Sequence, residues 1–122
     1  MKTTKAQFEI FKKECLKWIN FFGMIDFEYF FYHEEPNDSD GNMRACVRVD
    51  IVGRIVSFFL IPDWKREITN ERTVKKVAFH EVCEVLLWKL AGGAIGDIHL
   101  NLKQTVEETH KIIRILENKV FK

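Results

Sequence analysis

The sequence has no long apolar run, no block of one charge sign and no paired-cysteine motif. No segment approaches the roughly 18 apolar residues of a membrane-spanning helix, so no membrane partner is expected. The opening residues, MKTTKAQFEIFKKECLKW, carry no continuous apolar stretch followed by a small-residue cleavage site, which points to a cytoplasmic protein. Cys15, Cys46 and Cys83 are odd in number, widely spaced and without a CxxC pair, and are expected to be free thiols. Lysine and arginine (19) nearly balance aspartate and glutamate (18), giving a net charge of +1 with both signs interspersed. Nucleic acid is therefore not an expected partner. Internal repeats and low-complexity segments are also lacking.

What is present fits one folded unit. The chain has 122 residues, 47% of them apolar and 30% charged, with eleven phenylalanines, a balance that supports a single domain over 1–122. Phe8, Phe11, Cys15, Trp18, Ile19 and Phe22 recur at three- and four-residue steps, predicting an amphipathic helix from about Thr4 to Asn20 that ends near Gly23. IDFEYFFYH is rich in aromatic residues of high strand propensity and stops at the turn formers EEPNDSDGN. MRACVRVDI alternates, with Met43, Ala45, Val47, Val49 and Ile51 on a buried face and Arg44, Cys46, Arg48 and Asp50 on a solvated one. RIVSFFLIP follows after a short connection, which implies a hairpin and an antiparallel sheet. Thr69 or Asn70 caps a second helix from about Glu71 to Ala91, stopping at Gly92 and Gly93. Thr105 and Glu108 read as the capping box of a last helix from about Val106 to Phe121. The fold class is α+β: an N-terminal helix, a three-stranded antiparallel sheet, a buried motif helix and a C-terminal helix.

The second helix poses a chemical problem. In FHEVCEVLLWKL, apolar residues cover most of the circumference, yet His80, Glu81 and Glu84 fall within a turn and a half. His80 and Glu84 are one turn apart on nearly the same face, so their side chains can converge. A buried carboxylate without a partner is costly, and it pairs, binds a metal or takes up a proton. An imidazole and a carboxylate at i and i+4 match two corners of a tetrahedral zinc site. Glu81, next to the first ligand, sits where the glutamate of HExxH enzymes polarises the metal's water.

Catalytic zinc keeps three protein ligands, so a third must come from elsewhere. His110 lies on the apolar side of the last helix with Val106, Ile113 and Leu116 and is the expected ligand, with Glu107 or Glu108 as alternatives that would bring a second negative charge. The competing reading is an ordinary polar stripe paired with Lys75, Lys76 or Arg114. His99 reads as a loop residue, His33 as an exposed turn residue and Cys83 as a core thiol. Glu107 and His110 spell ExxH, but di-iron bundles need two such motifs on four helices.

AFHEVCEVLLWKL and EETHKIIRILEN together resemble the motif helices of zincin-like metallopeptidases, in particular short proteins encoded by bacteriophages. The resemblance covers mostly the last third of the chain, and more loosely the order of elements before it. It implies a minimal zincin arrangement, zinc held by His80, Glu84 and His110, and Glu81 as catalytic base in an HExxE variant of the HExxH motif. The implied activity is peptide hydrolysis through a zinc-bound water, in the host cytoplasm if a phage encodes the chain. Tyr29, Tyr32, His99 and Arg114 are all open as oxyanion donors. The alternative is a non-catalytic module, stabilised by zinc or by salt bridges, that binds a phage or host protein.

Overall fold

Thr4 starts the first helix with a reciprocal cap: its hydroxyl accepts from the Gln7 amide (3.1 Å), and the Gln7 side chain accepts from the Thr4 amide (2.9 Å). This helix, α1 (Lys5–Phe21), buries Phe11, Cys15, Trp18 and Ile19 along one stripe. Gly23, at φ 68°, ends it, and the Met24 amide reaches back to the Ile19 carbonyl (3.0 Å). The chain continues through β1 (Glu28–Tyr32), β2 (Ala45–Asp50), β3 (Ile55–Leu60), α2 (Glu71–Ile95) and α3 (Leu102–Lys119). This computed structural model describes residues 1–37, 39, 41–95 and 102–121, without the side chains of 89–95, 102–106, 108 and 109.

The α+β class and the order of elements follow the sequence reading, and β2 and β3 form the expected antiparallel hairpin. The sheet as a whole is mixed, not antiparallel throughout. Its order is β1-β3-β2, with β1 parallel to β3. The short turn between β2 and β3 dictates their pairing, whereas the long connection after β1 lets that strand pass the end of β3 and take its far side. β3, the most apolar strand, thus becomes central.

Val56, Phe58 and Leu60 of β3 are fully buried on the inner face, where Phe31 and Tyr29 stack on Phe58 at 5.4 and 6.2 Å between centroids. On the outer face, Phe30 and Tyr32 are exposed and Tyr32 stacks on Phe59 at 5.1 Å. Cys46, expected on a solvated face, is buried instead, in register with Phe59.

Asn70 caps α2 by accepting from the Thr73 amide (2.9 Å), while the Thr73 hydroxyl accepts from the Asn70 amide (3.0 Å). The helix then runs through Gly92 and Gly93 to Ile95, past its expected end. A helical glycine costs only about 1 kcal/mol relative to alanine, which a long, already nucleated helix tolerates. α3 likewise begins at Leu102, so Thr105 lies inside the helix and does not cap it. No described helix is long and apolar enough to cross a membrane.

α2 packs against α1, α3 and β2. Val74, Val77, Ala78, Phe79, Val82, Cys83 and Val85 are all buried, with Phe79 held between Trp18 (4.6 Å) and Phe121 (5.4 Å). This packing fixes the rotation of α2 about its axis, and hence where residue 80 points. Phe79→Ala is expected to lower stability by about 3–5 kcal/mol, read as a fall in the urea midpoint with little change in slope.

Candidate metal centre

With its apolar residues buried against α1 and the sheet, α2 leaves one sector open toward α3. His80 and Glu84 occupy it, their side chains 33% and 29% exposed. α3 is anchored by Ile113, which is fully buried, and the helical repeat places His110 and Glu117 one turn to either side of it. The two helices therefore present their polar residues to each other.

Glu84 Oε1 lies 3.1 Å from His110 Nε2 and 3.4 Å from His80 Nε2. One donor atom from each of His80, Glu84 and His110 can be chosen so that all lie within 4.8 Å of one another. Zinc–nitrogen and zinc–oxygen bonds of about 2.0–2.1 Å in a tetrahedron separate adjacent donors by about 3.3 Å. The 3.1 and 3.4 Å separations match that edge. Two imidazoles and one carboxylate are also a donor set that zinc accepts with its fourth position left open.

Electrostatics divide the two glutamates. Burial pushes the Glu81 carboxyl well above its usual range, and the neighbouring Glu84 charge and a hydrogen bond to Glu84 push it further. Burial acts on Glu84 in the same direction, but hydrogen bonds from His80, Glu81 and His110 outweigh it and hold Glu84 down at about 2. Glu84 is thus the charged partner and Glu81 the protonated one. Glu81 is only 6% exposed, and its Oε2 has no hydrogen-bond partner among the described residues. The hydrogen bond to Glu84 raises the pKa of His80 against the opposing effect of burial.

Family models, curated proteins and solved structures offer no match to this chain.

His80, Glu84 and His110, expected as ligands, come together, and Glu81 lies beside them. Glu107 is exposed and outside the cluster. The Glu108 side chain and His99 lie outside the described residues. Cys83 is fully buried, and burial pushes its thiol up to about 12, which keeps it protonated and a poor ligand. Lys75 is engaged by Glu71 at 3.0 Å, and Arg114 is exposed. Tyr29 donates to the Met24 carbonyl (2.6 Å) from the sheet, and Tyr32 lies on the outer sheet face. His33, read as exposed, is half-buried: it stacks on Phe8 at 5.1 Å and hydrogen-bonds the Thr3 hydroxyl at 2.8 Å.

Sequence reasoning passed over Glu117. Its side chain is only 12% exposed, and its Oε2 lies 3.7 Å from His80 Nδ1, on the side of the ring away from Glu84. The signal was available, since Glu117 follows Ile113 by four residues on the face that carries His110. A carboxylate at Nδ1 favours the tautomer that leaves Nε2 free to coordinate. Glu117→Ala is expected to weaken zinc affinity by about 10–100-fold, and Glu117→Gln, which keeps an acceptor, to restore most of it in a chelator-competition titration. Equal affinities for all three proteins would remove Glu117 from the site.

Proposed function

We propose that this protein is a zinc-dependent peptidase of the cytoplasm, with His80, Glu84 and His110 as ligands and Glu81 as general base. The observation that carries this reading is the convergence of two imidazoles and a carboxylate beside a buried glutamate with an elevated pKa. Bound there, zinc would supply a Lewis acid that lowers the pKa of a water toward about 7 and polarises a carbonyl.

The chain's own residues supply the rest. Glu84 brings the negative charge that favours a cation, and Glu117 orients the His80 ring. Glu81 holds a proton in the metal-free site; a cation held by His80, Glu84 and His110 would lower its pKa, and the resulting carboxylate would accept a proton from the attacking water and pass it to the leaving amine. His110 brings the third ligand from α3.

A cavity of about 200 Å³ adjoins the site, between Met43–Ala45 and the side chains of His80, Glu81 and Glu117. Among the described strands β2 pairs with β3 alone, so its other edge offers backbone groups to an extended peptide. Such a peptide would pass in front of His80 and Glu81.

A second reading, a non-catalytic zinc-stabilised module that binds a protein, is favoured by the placement of Tyr29 and Tyr32 away from the site and by the exposure of Arg114. Zinc content of protein purified without added metal, together with peptide cleavage by wild type and Glu81→Gln, separates the two. No zinc in the wild type sinks both metal readings. Zinc with cleavage indifferent to Glu81 leaves only the structural one.

A further inference from the structure

A second cavity, of about 260 Å³, meets the first at Met43 and Arg44. Among the described residues its walls include Arg44, Lys65 and Arg66 and the acid Glu67, whose Oε2 is 3.2 Å from Arg44 Nε, while Lys65 Nζ lies 3.9 Å from Asp63 Oδ2. Trp64 forms the inner wall. It is 2% exposed, its indole Nε1 has no hydrogen-bond partner among the described residues, and the Arg44 guanidinium lies 5.9 Å from its ring centroid.

The turn that carries Lys65 and Arg66 is built at a local cost. Lys65 adopts φ 60°, a left-handed conformation uncommon for a residue with a side chain. It is held by its amide donating to Asp63 Oδ1 (2.9 Å) and by the Glu67 amide donating to the Trp64 carbonyl (3.1 Å). Backbone strain of this kind gathers at ligand-contacting loops. Here it sets two cations beside a third at the end of a groove that begins at the candidate zinc site.

We propose that this cavity is a subsite for an acidic side chain of the peptide, so that the substrate class is peptides bearing Asp or Glu a few residues from the scissile bond. The proposal rests on the peptidase reading for the path of the chain, but not for the chemistry of the cavity. Arginine and lysine together receive a carboxylate, and the mixed sign of the surrounding surface gives no comparable attraction for an extended polyanion.

The test uses the full chain as Glu81→Gln, so that no turnover intervenes, with zinc present. Fluorescence anisotropy compares a labelled peptide containing glutamates with its glutamine counterpart. The acidic peptide should bind about tenfold more tightly or better, and Lys65→Glu with Arg66→Glu should reduce that ratio to about one. Lys65→Gln with Arg66→Gln should give an intermediate ratio, and thermal unfolding verifies that each variant is folded. Equal affinity for the two peptides, a ratio unchanged by the charge reversals, or tighter binding of a single-stranded oligonucleotide would overturn the subsite. Zinc content and peptide cleavage are measured in parallel on wild type purified without added metal. An acidic preference without zinc upholds the cavity and rejects the peptidase, whereas zinc and cleavage without the preference do the reverse.

Discussion

His110→Ala protein purified without added metal should contain almost no zinc, where the wild type should carry about one equivalent. α2 alone offers two donors, and two donors do not make a structural or catalytic zinc site. The expected loss of affinity is about 1,000-fold or more, equivalent to about 4 kcal/mol. The fold should survive. The His110 side chain is 41% exposed, and α3 remains anchored by the fully buried Ile113, so the metal-free variant should lie within about 1 kcal/mol of metal-free wild type. The contrast appears when zinc is added. At a free concentration 100 times its dissociation constant, zinc should stabilise the wild type by about 2.7 kcal/mol and the variant hardly at all. A variant that keeps wild-type zinc would show that His110 is no ligand and that the 3.1 Å contact with Glu84 is only a hydrogen bond.

Glu81→Gln should lower kcat/KM for peptide cleavage by about 10²–10⁴-fold while zinc content stays at the wild-type level. Glutamine keeps the shape and cannot take the proton. The same substitution has a second consequence in zinc-free protein. Unfolded Glu81 loses its proton above its ordinary value of 4.5, whereas the folded protein retains it to well above that pH. Folding then takes up a proton, so Glu81 makes stability fall as pH climbs above 4.5 toward the folded value. The glutamine variant lacks this loss. Its stability relative to wild type should therefore rise with pH from about 4.5 into the neutral range, and match that of wild type below about 4, in urea unfolding measured across pH. A stability difference that does not vary with pH would mean that burial does not raise the Glu81 pKa in the metal-free fold.

The two experiments address different halves of the site. Loss of zinc without His110 establishes how α2 and α3 are joined. Loss of turnover without the Glu81 carboxyl establishes what the joined site does.

Much of the site was legible because helical pitch is a local property. An imidazole and a carboxylate four residues apart must lie on one face of any helix that contains them, and the apolar residues around them imply a helix packed on nearly every side. The alternation in β2 and the short turn after it likewise dictated the hairpin. Features that depend on distant segments were not legible. β1 was expected to be antiparallel and is parallel to β3, because the long connection after it does not dictate its direction. The extension of α2 through Gly92 and Gly93 reflects a residue that weakens a helix but does not stop it.

The sequence by itself determined the amphipathic elements, the α+β class and the pairing of His80 with Glu84, because each follows from spacing along one element. Tertiary structure decided that α3 turns His110 onto Glu84, that Glu117 stands at the other nitrogen of His80, and that Arg44, Lys65 and Arg66 gather around Trp64. Those relations depend on how α3 is rotated by the burial of Ile113 and on where the turn after β3 comes to rest. Both are set by packing between segments far apart in the chain, which no local periodicity encodes.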